Sequence, residues 1–391
     1  MKFPSTGLRP WLSLFRRSAA IAGFSPRLHT WPVMLTKIRI KALAATLLGI
    51  LLLVCLRRGL LVVFLALKIL GHTDALDAWR GAVSHQTVVY AETPIDVYGE
   101  AKSSPAILII HGVNPTGKDS LDLVRISEGL AQAGYQVYVP DLAEMRKQHL
   151  RPEEAAHIKS VFQFIGRDAG MACFSYGCGP ALIAAADPDI RSHVRFAVAF
   201  GGYFDSREAL EFVVTGPQTS IAYLKWVYLG ANSDVIADEG DQGRVRKIAQ
   251  DRRDEKSYEH DAAENLSPDA KALLDIFSAS NPQEFRQRLR FGSETLQRRL
   301  DALSPSRYIR QIRAPLMLIH GVSDPVIPAQ QSIEFAEAAR ANGLDYSLTL
   351  LRLYGHVTPV LPDFSATSTF GFYLPETLRF LRLVNRVIAW S

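Results

Sequence analysis

The hydrophobic and polar positions fall into two regimes that change near residue 85. Before it, residues 42–56 are continuously apolar, Arg57 and Arg58 interrupt them, and a second apolar run, Gly59–Leu70, follows. After it, short apolar runs alternate with stretches of helical spacing. Thr87–Tyr90 and Ile95–Gly99 read as an opening hairpin. Ala106–Ile110, Gln136–Pro140, Gly170–Phe174, Arg195–Phe200, Leu316–Ile319 behind Pro315, and Ser347–Leu353 read as strands, uniform enough to be buried on both faces. Helical spacing covers Leu121–Ala133, Ala155–Ile165, Pro180–Ala186 and Ala329–Ala341. Strands separated by helices of that length imply a mostly parallel, doubly wound α/β sheet.

Residues 206–312 break the alternation. They contain no strand-like run and carry helix starts instead: Asn281-Pro282-Gln283-Glu284 has the form of a capping box with Pro at the first helical position, and Ser267-Pro268 begins another helix. The charged stretch 239–264 reads as a solvated helix face. The expected organisation is a basic tail (1–41), a hydrophobic membrane segment (42–71), the first half of an α/β core (85–205), a helical cap or lid (206–312) and the second half of the core (313–391).

Composition changes this picture at the N-terminus. The 391 residues are 48% hydrophobic and 21% charged, which suits a globular chain with a large core. The net charge of +5 is uneven, because residues 1–41 hold eight Lys/Arg and no Asp or Glu. A basic tail beside an apolar run points to a membrane, not to nucleic acid, and the body of the chain has no basic stripe with interleaved aromatics. Residues 42–56 alone would extend roughly 22 Å as a helix, short of the ~30 Å hydrocarbon core. A spanning helix therefore recruits Ile38–Ile40 or runs on past the arginines, which would snorkel. A hairpin, an interfacial helix and a cleaved targeting segment are the other readings, and Met34 is an alternative start. By the positive-inside rule the N-terminus is cytoplasmic, which puts the α/β core across the membrane if the segment spans once and leaves it on the cytoplasmic side if the segment forms a hairpin.

The candidate chemistry sits at strand ends. Cys173-Phe174-Ser175-Tyr176-Gly177 follows an apolar strand and precedes a helix. It resembles the nucleophile elbow of the α/β-hydrolase fold, G-x-S-x-G, with Cys173 in place of the first Gly. Small residues are needed there because strand and helix nearly touch. His111-Gly112-Val113-Asn114 resembles that family's oxyanion loop, with His111 bracing it. His320-Gly321-Val322-Ser323-Asp324-Pro325-Val326-Ile327-Pro328 is similar to its HG-x-x-D-x-x-x-P segment, and Tyr354-Gly355-His356 to the loop after its eighth strand.

The resemblance covers residues 85–205 and 312–391. It implies a Ser175–Asp324–His356 triad in the chain order of α/β hydrolases, with the backbone N–H groups of Val113 and Tyr176 as oxyanion donors. Asp205, at the end of an earlier strand, competes with Asp324 as the acid. A serine at 175 argues against the cysteine chemistry of dienelactone hydrolases and the aspartate chemistry of dehalogenases and epoxide hydrolases.

The expected activity is carboxylic ester or thioester hydrolysis on a small or lipid-like acyl substrate, with no cofactor or metal. An acyltransferase and a non-catalytic membrane-tethered binding module are the alternatives. Cys55, Cys173 and Cys178 form neither a disulfide framework nor a zinc-type motif.

Overall fold

The structure, a computed structural model, describes residues 31–71, 75–100, 104–216, 221–256, 265–356 and 365–389, and side chains from residue 48 onward except Ala366. Most of the basic tail, residues 1–30, lies outside the described residues. The chain divides into two units, Met1–Leu60 and Leu61–Ser391.

In the second unit eight strands form one sheet: β1 (His85–Tyr90), β2 (Thr93–Tyr98), β3 (Ala106–Ile110), β4 (Gln136–Pro140), β5 (Ala169–Phe174), β6 (Val194–Phe200), β7 (Leu316–Gly321) and β8 (Tyr346–Leu351). Their order is β1-β2-β4-β3-β5-β6-β7-β8. β2 runs antiparallel to both β1 and β4, and the strands from β3 to β8 are mutually parallel. β3 shows why the apolar runs are continuous. Leu108 and Ile110 enter the core on one face and Ile107 and Ile109 the core on the other, all fully buried. On the first face pack the helices Glu153–Ile165, Cys178–Ala185 and Gln330–Ala341; on the second, Leu121–Gln132 and Leu374–Ile388. This is the α/β-hydrolase fold, with a helical insertion and a hydrophobic N-terminal helix.

Among the described residues, six α-helices, from Ser206–Thr215 to Glu294–Ala302, stand between β6 and β7 around a core of their own that includes Val245, Ile248, Phe277 and Phe285. The sequence signals for their starts hold. Asn281 accepts the Glu284 N–H, and Ser267 accepts the Ala270 N–H. Glu284 reaches back to the N–H of Ser280, one residue earlier than in a standard capping box. Part of the charged stretch, residues 257–264, is outside the described residues.

Two expectations change. β8, read as buried, is the sheet's edge, and only Leu351 of its six residues is buried. The N-terminal helix is continuous from Trp31 to Ile69, so Arg57 and Arg58 lie within it and the two apolar runs do not fold back on each other. Its stretch Leu48–Ile69 is long and apolar enough to cross a membrane, by length and composition. Residues 48–60 are exposed, whereas Val62, Leu65, Ala66 and Lys68 are buried in the second unit.

Candidate active site

The carboxyl ends of β3, β5, β7 and β8 bring four loops to one edge of the sheet. Ser175 follows β5 directly, opening the 3-10 turn Ser175–Gly177 with φ +52°, a value that L-residues rarely hold. That kink turns the chain from strand into helix and leaves the side chain at the sheet's rim. The tight approach explains the glycine two positions on: a Cβ on Gly177 would run into the His111 carbonyl. Cys173 occupies the other small-residue position. It is buried, and its thiol donates to the Val198 carbonyl at 3.3 Å. Burial, and then the neighbouring Cys178 thiol, push the Cys173 thiol well up, away from the reactive thiolate.

Ser175 Oγ lies 2.6 Å from His356 Nε2, and His356 Nδ1 lies 2.6 Å from Asp324 Oδ2. The histidine therefore donates from Nδ1 to the carboxylate, which leaves Nε2 to accept from the hydroxyl. β7 and β8 set this geometry. Their ends run so close that a Cβ on Gly321 would strike the Gly355 carbonyl, and the two loops carrying Asp324 and His356 leave side by side.

Asp324 is held on both oxygens. Oδ1 accepts the N–H groups of Val326 and Ile327, at 2.8 and 2.9 Å. Oδ2 faces His320 Nε2 at 3.3 Å as well as His356. Burial pushes its carboxyl up, but hydrogen bonds from His320 and His356, the charge of His356 and the Ile327 N–H more than offset this and hold it below the ordinary range. His320 is itself fixed, with Nδ1 2.7 Å from Ser332 Oγ and Nε2 2.9 Å from the Ile327 carbonyl. Sequence reasoning quoted His320 only as part of a motif; its burial and its second role beside the carboxylate emerge in three dimensions.

Asp205, the competing acid, is elsewhere. It caps the helix Ser206–Thr215, accepting the Arg207 N–H at 2.9 Å and the Ser306 hydroxyl at 3.1 Å.

The loop after β3 lies against the serine. A Cβ on Gly112 would stand 3.1 Å from Ser175 Cβ. His111 braces this loop: its Nε2 accepts the Leu142 N–H at 3.1 Å, so Nδ1 carries the proton and donates to the Gly112 carbonyl at 2.7 Å. Burial holds the imidazole below its ordinary range, and therefore neutral.

Val113, Tyr176, Ser175 and His356 line one cavity of about 340 Å³. Its remaining wall is chiefly apolar, with Leu123, Phe174 and Phe200 from the core and Leu224, Val227 and Tyr228 from the helical insertion. A volume near the lower end of the range for small-molecule sites suits a compact ligand or a single chain. The insertion is tied to the elbow through aromatic packing, with Tyr176 6.4 Å from Tyr228 between ring centroids.

No family model and no curated protein matches the chain. Solved structures do resemble it. An acylaminoacyl peptidase of Pyrococcus horikoshii is 15% identical over 77% of this chain, with a TM-score of 0.43. This chain spans only 40% of that peptidase's length. A putative lipase of Acinetobacter baumannii is 13% identical over 78% of this chain and 94% of its own, with a TM-score of 0.41. An esterase of Pyrococcus furiosus is 12% identical over 80% of this chain and 92% of its own, with a TM-score of 0.44. Likeness this distant carries no activity from those proteins to this one.

Proposed function

We propose that the protein is a membrane-associated serine hydrolase that cleaves a carboxylic ester or thioester with an apolar acyl chain. The observation that carries the reading is the continuous run of short hydrogen bonds from Ser175 through His356 to Asp324, with Ser175 and His356 lining a largely apolar cavity.

In the proposed cycle His356 Nε2 takes the Ser175 proton as Oγ attacks the substrate carbonyl. Asp324 keeps the imidazole in the tautomer that allows this and stabilises the imidazolium that forms. The carbonyl oxygen becomes an oxyanion, and the N–H groups of Val113 and Tyr176 are its donors; one such donor contributes about 2.7–4 kcal/mol in related chemistry. His356 then protonates the leaving alcohol or thiol. A water molecule, deprotonated by His356, attacks the acyl-enzyme, and collapse of that adduct releases the acid and returns the proton to Ser175.

Membrane association rests on the exposed apolar residues of the N-terminal helix. Residues 42–60 would extend about 28 Å, close to the thickness of a bilayer core, with Arg57 and Arg58 near one end where long side chains can snorkel.

Incubating full-length protein with a fluorophosphonate and locating the adduct by peptide mass spectrometry tests the nucleophile. The proposal expects the adduct on Ser175; a label elsewhere, or none, contradicts it.

A further inference from the structure

The cavity has a wall that the hydrolase reading does not require. Ile69 and Leu70, the last residue of the N-terminal helix and the one after it, line the same cavity as Ser175, together with Leu123 and Ile126. They belong to the unit Leu61–Ser391, and the way they are held there is specific. Leu65, one turn earlier, is 1% exposed and packs over Gly129, where a Cβ would run into its Cδ1. Gly129 sits inside the helix Leu121–Gln132, a position where glycine costs about 1 kcal/mol relative to alanine. The close approach of Leu65 accounts for it.

Lys68 then locks the end of the helix. Only 5% exposed, it reaches Asp77 at 2.5 Å and Glu128 at 3.0 Å, and Asp77 also accepts from Gln132 at 2.7 Å. Glu128 and Gln132 lie on the helix that carries Leu123 and Ile126 to the cavity. Two independent devices, a cleared glycine and the ion pairs of a buried lysine, thus fix Ile69 and Leu70 against that helix. A segment serving only to tether the protein would need neither so close to the nucleophile.

Resting on the hydrolase reading, we infer that Ile69 and Leu70 are specificity-determining residues that contact the substrate's apolar chain, so that the carboxyl end of the N-terminal helix is part of the substrate site. The chemistry they would recognise is an unbranched aliphatic chain: both side chains are aliphatic, they carry no donor or acceptor, and their neighbours Leu123 and Ile126 are alike.

The test is the rate at which ethyl and decyl fluorophosphonates label full-length protein in detergent micelles. Wild type is expected to favour the decyl reagent. Leu70→Trp, which fills the cavity, is expected to lower the decyl-to-ethyl ratio by about tenfold, the scale on which a hydrophobic pocket discriminates methylene groups. Ile69→Ala with Leu70→Ala, which keeps the fold's demands mild, should lower it by a smaller factor through lost contact. An unchanged ratio in both variants, with Ser175 still labelled, overturns the inference. A wild type that takes no label contradicts the hydrolase reading instead. Binding of a fluorescent decanoate to wild type and Leu70→Trp then decides the wall: weaker binding by the variant upholds it, and equal binding overturns it.

Discussion

One oxygen of Asp324 serves two histidines: Oδ2 lies 2.6 Å from His356 Nδ1 and 3.3 Å from His320 Nε2, while Oδ1 is occupied by backbone N–H groups. The carboxylate is therefore fixed before His356 meets it, and the rigid His320, not solvent, takes its remaining capacity.

Asp324→Asn should leave a protein that still folds but turns over an ester about 10⁴-fold more slowly, because the amide no longer holds His356 in the useful tautomer. Asp205→Asn should change turnover little, since that side chain caps a helix; replacing it with Ala would cost about 0.5–2 kcal/mol of stability. Steady-state hydrolysis and thermal melts of the two variants separate these effects. The reverse pattern would move the acid to Asp205.

A second expectation concerns pH. His149 lies 2.7 Å from Glu144 and 3.0 Å from Asp234, and Asp234 also holds Arg299 at 2.6 Å, so the imidazole joins the core to the helical insertion. Its close contact with the Asp234 carboxylate raises its pKa, burial opposes this, and Glu144 adds to the rise. A raised folded-state pKa means that the folded protein holds the proton more tightly. This contribution to stability is thus complete below the unfolded value of about 6.5 and is lost as pH rises through the folded value. His149→Gln should remove that part of the pH dependence in denaturant melts taken on both sides of pH 6.5. An identical pH dependence in the variant would show that His149 does not contribute.

The N-terminal helix gives a third. Full-length protein should pellet with membranes and resist extraction by high salt or carbonate, and its recovery without detergent in the soluble fraction would contradict the membrane reading. A chain beginning at Leu61 should fold, whereas one beginning at Thr73 should aggregate. The shorter chain loses Val62 and Leu65, whose burial contributes roughly 3–6 kcal/mol together, and leaves their seat on the core open. Equal melting temperatures for the two would show that this packing is dispensable.

The sheet was legible because its strands are buried on both faces and so read as unbroken apolar runs between helical spacings, as at Ala106–Ile110. The candidate site was legible for a related reason: each of its residues sits just past such a run, in a local pattern with a steric requirement, as Gly177 shows against His111. What could not be read is whatever depends on contacts distant in sequence. Tyr346–Leu351 has the composition of an interior strand, and only the sheet order makes it the edge. Leu65 meets Gly129, and Lys68 meets Glu128, across some sixty residues of chain, so an apolar run that resembles an anchor throughout conceals a last turn that belongs to the core. Glu376 is similar: buried on the C-terminal helix, it accepts from the N–H of Arg352 at 2.9 Å and so steadies the segment leading to His356.

The most direct measurement is turnover of a simple aliphatic ester by purified wild type and Ser175→Ala, with melting curves for both. The account predicts that the variant melts near wild type and loses about 10³–10⁶-fold in turnover, the range seen when the nucleophile of such a triad is removed. Equal turnover by the two proteins would contradict it, and with it the assignment of Ser175 as the nucleophile.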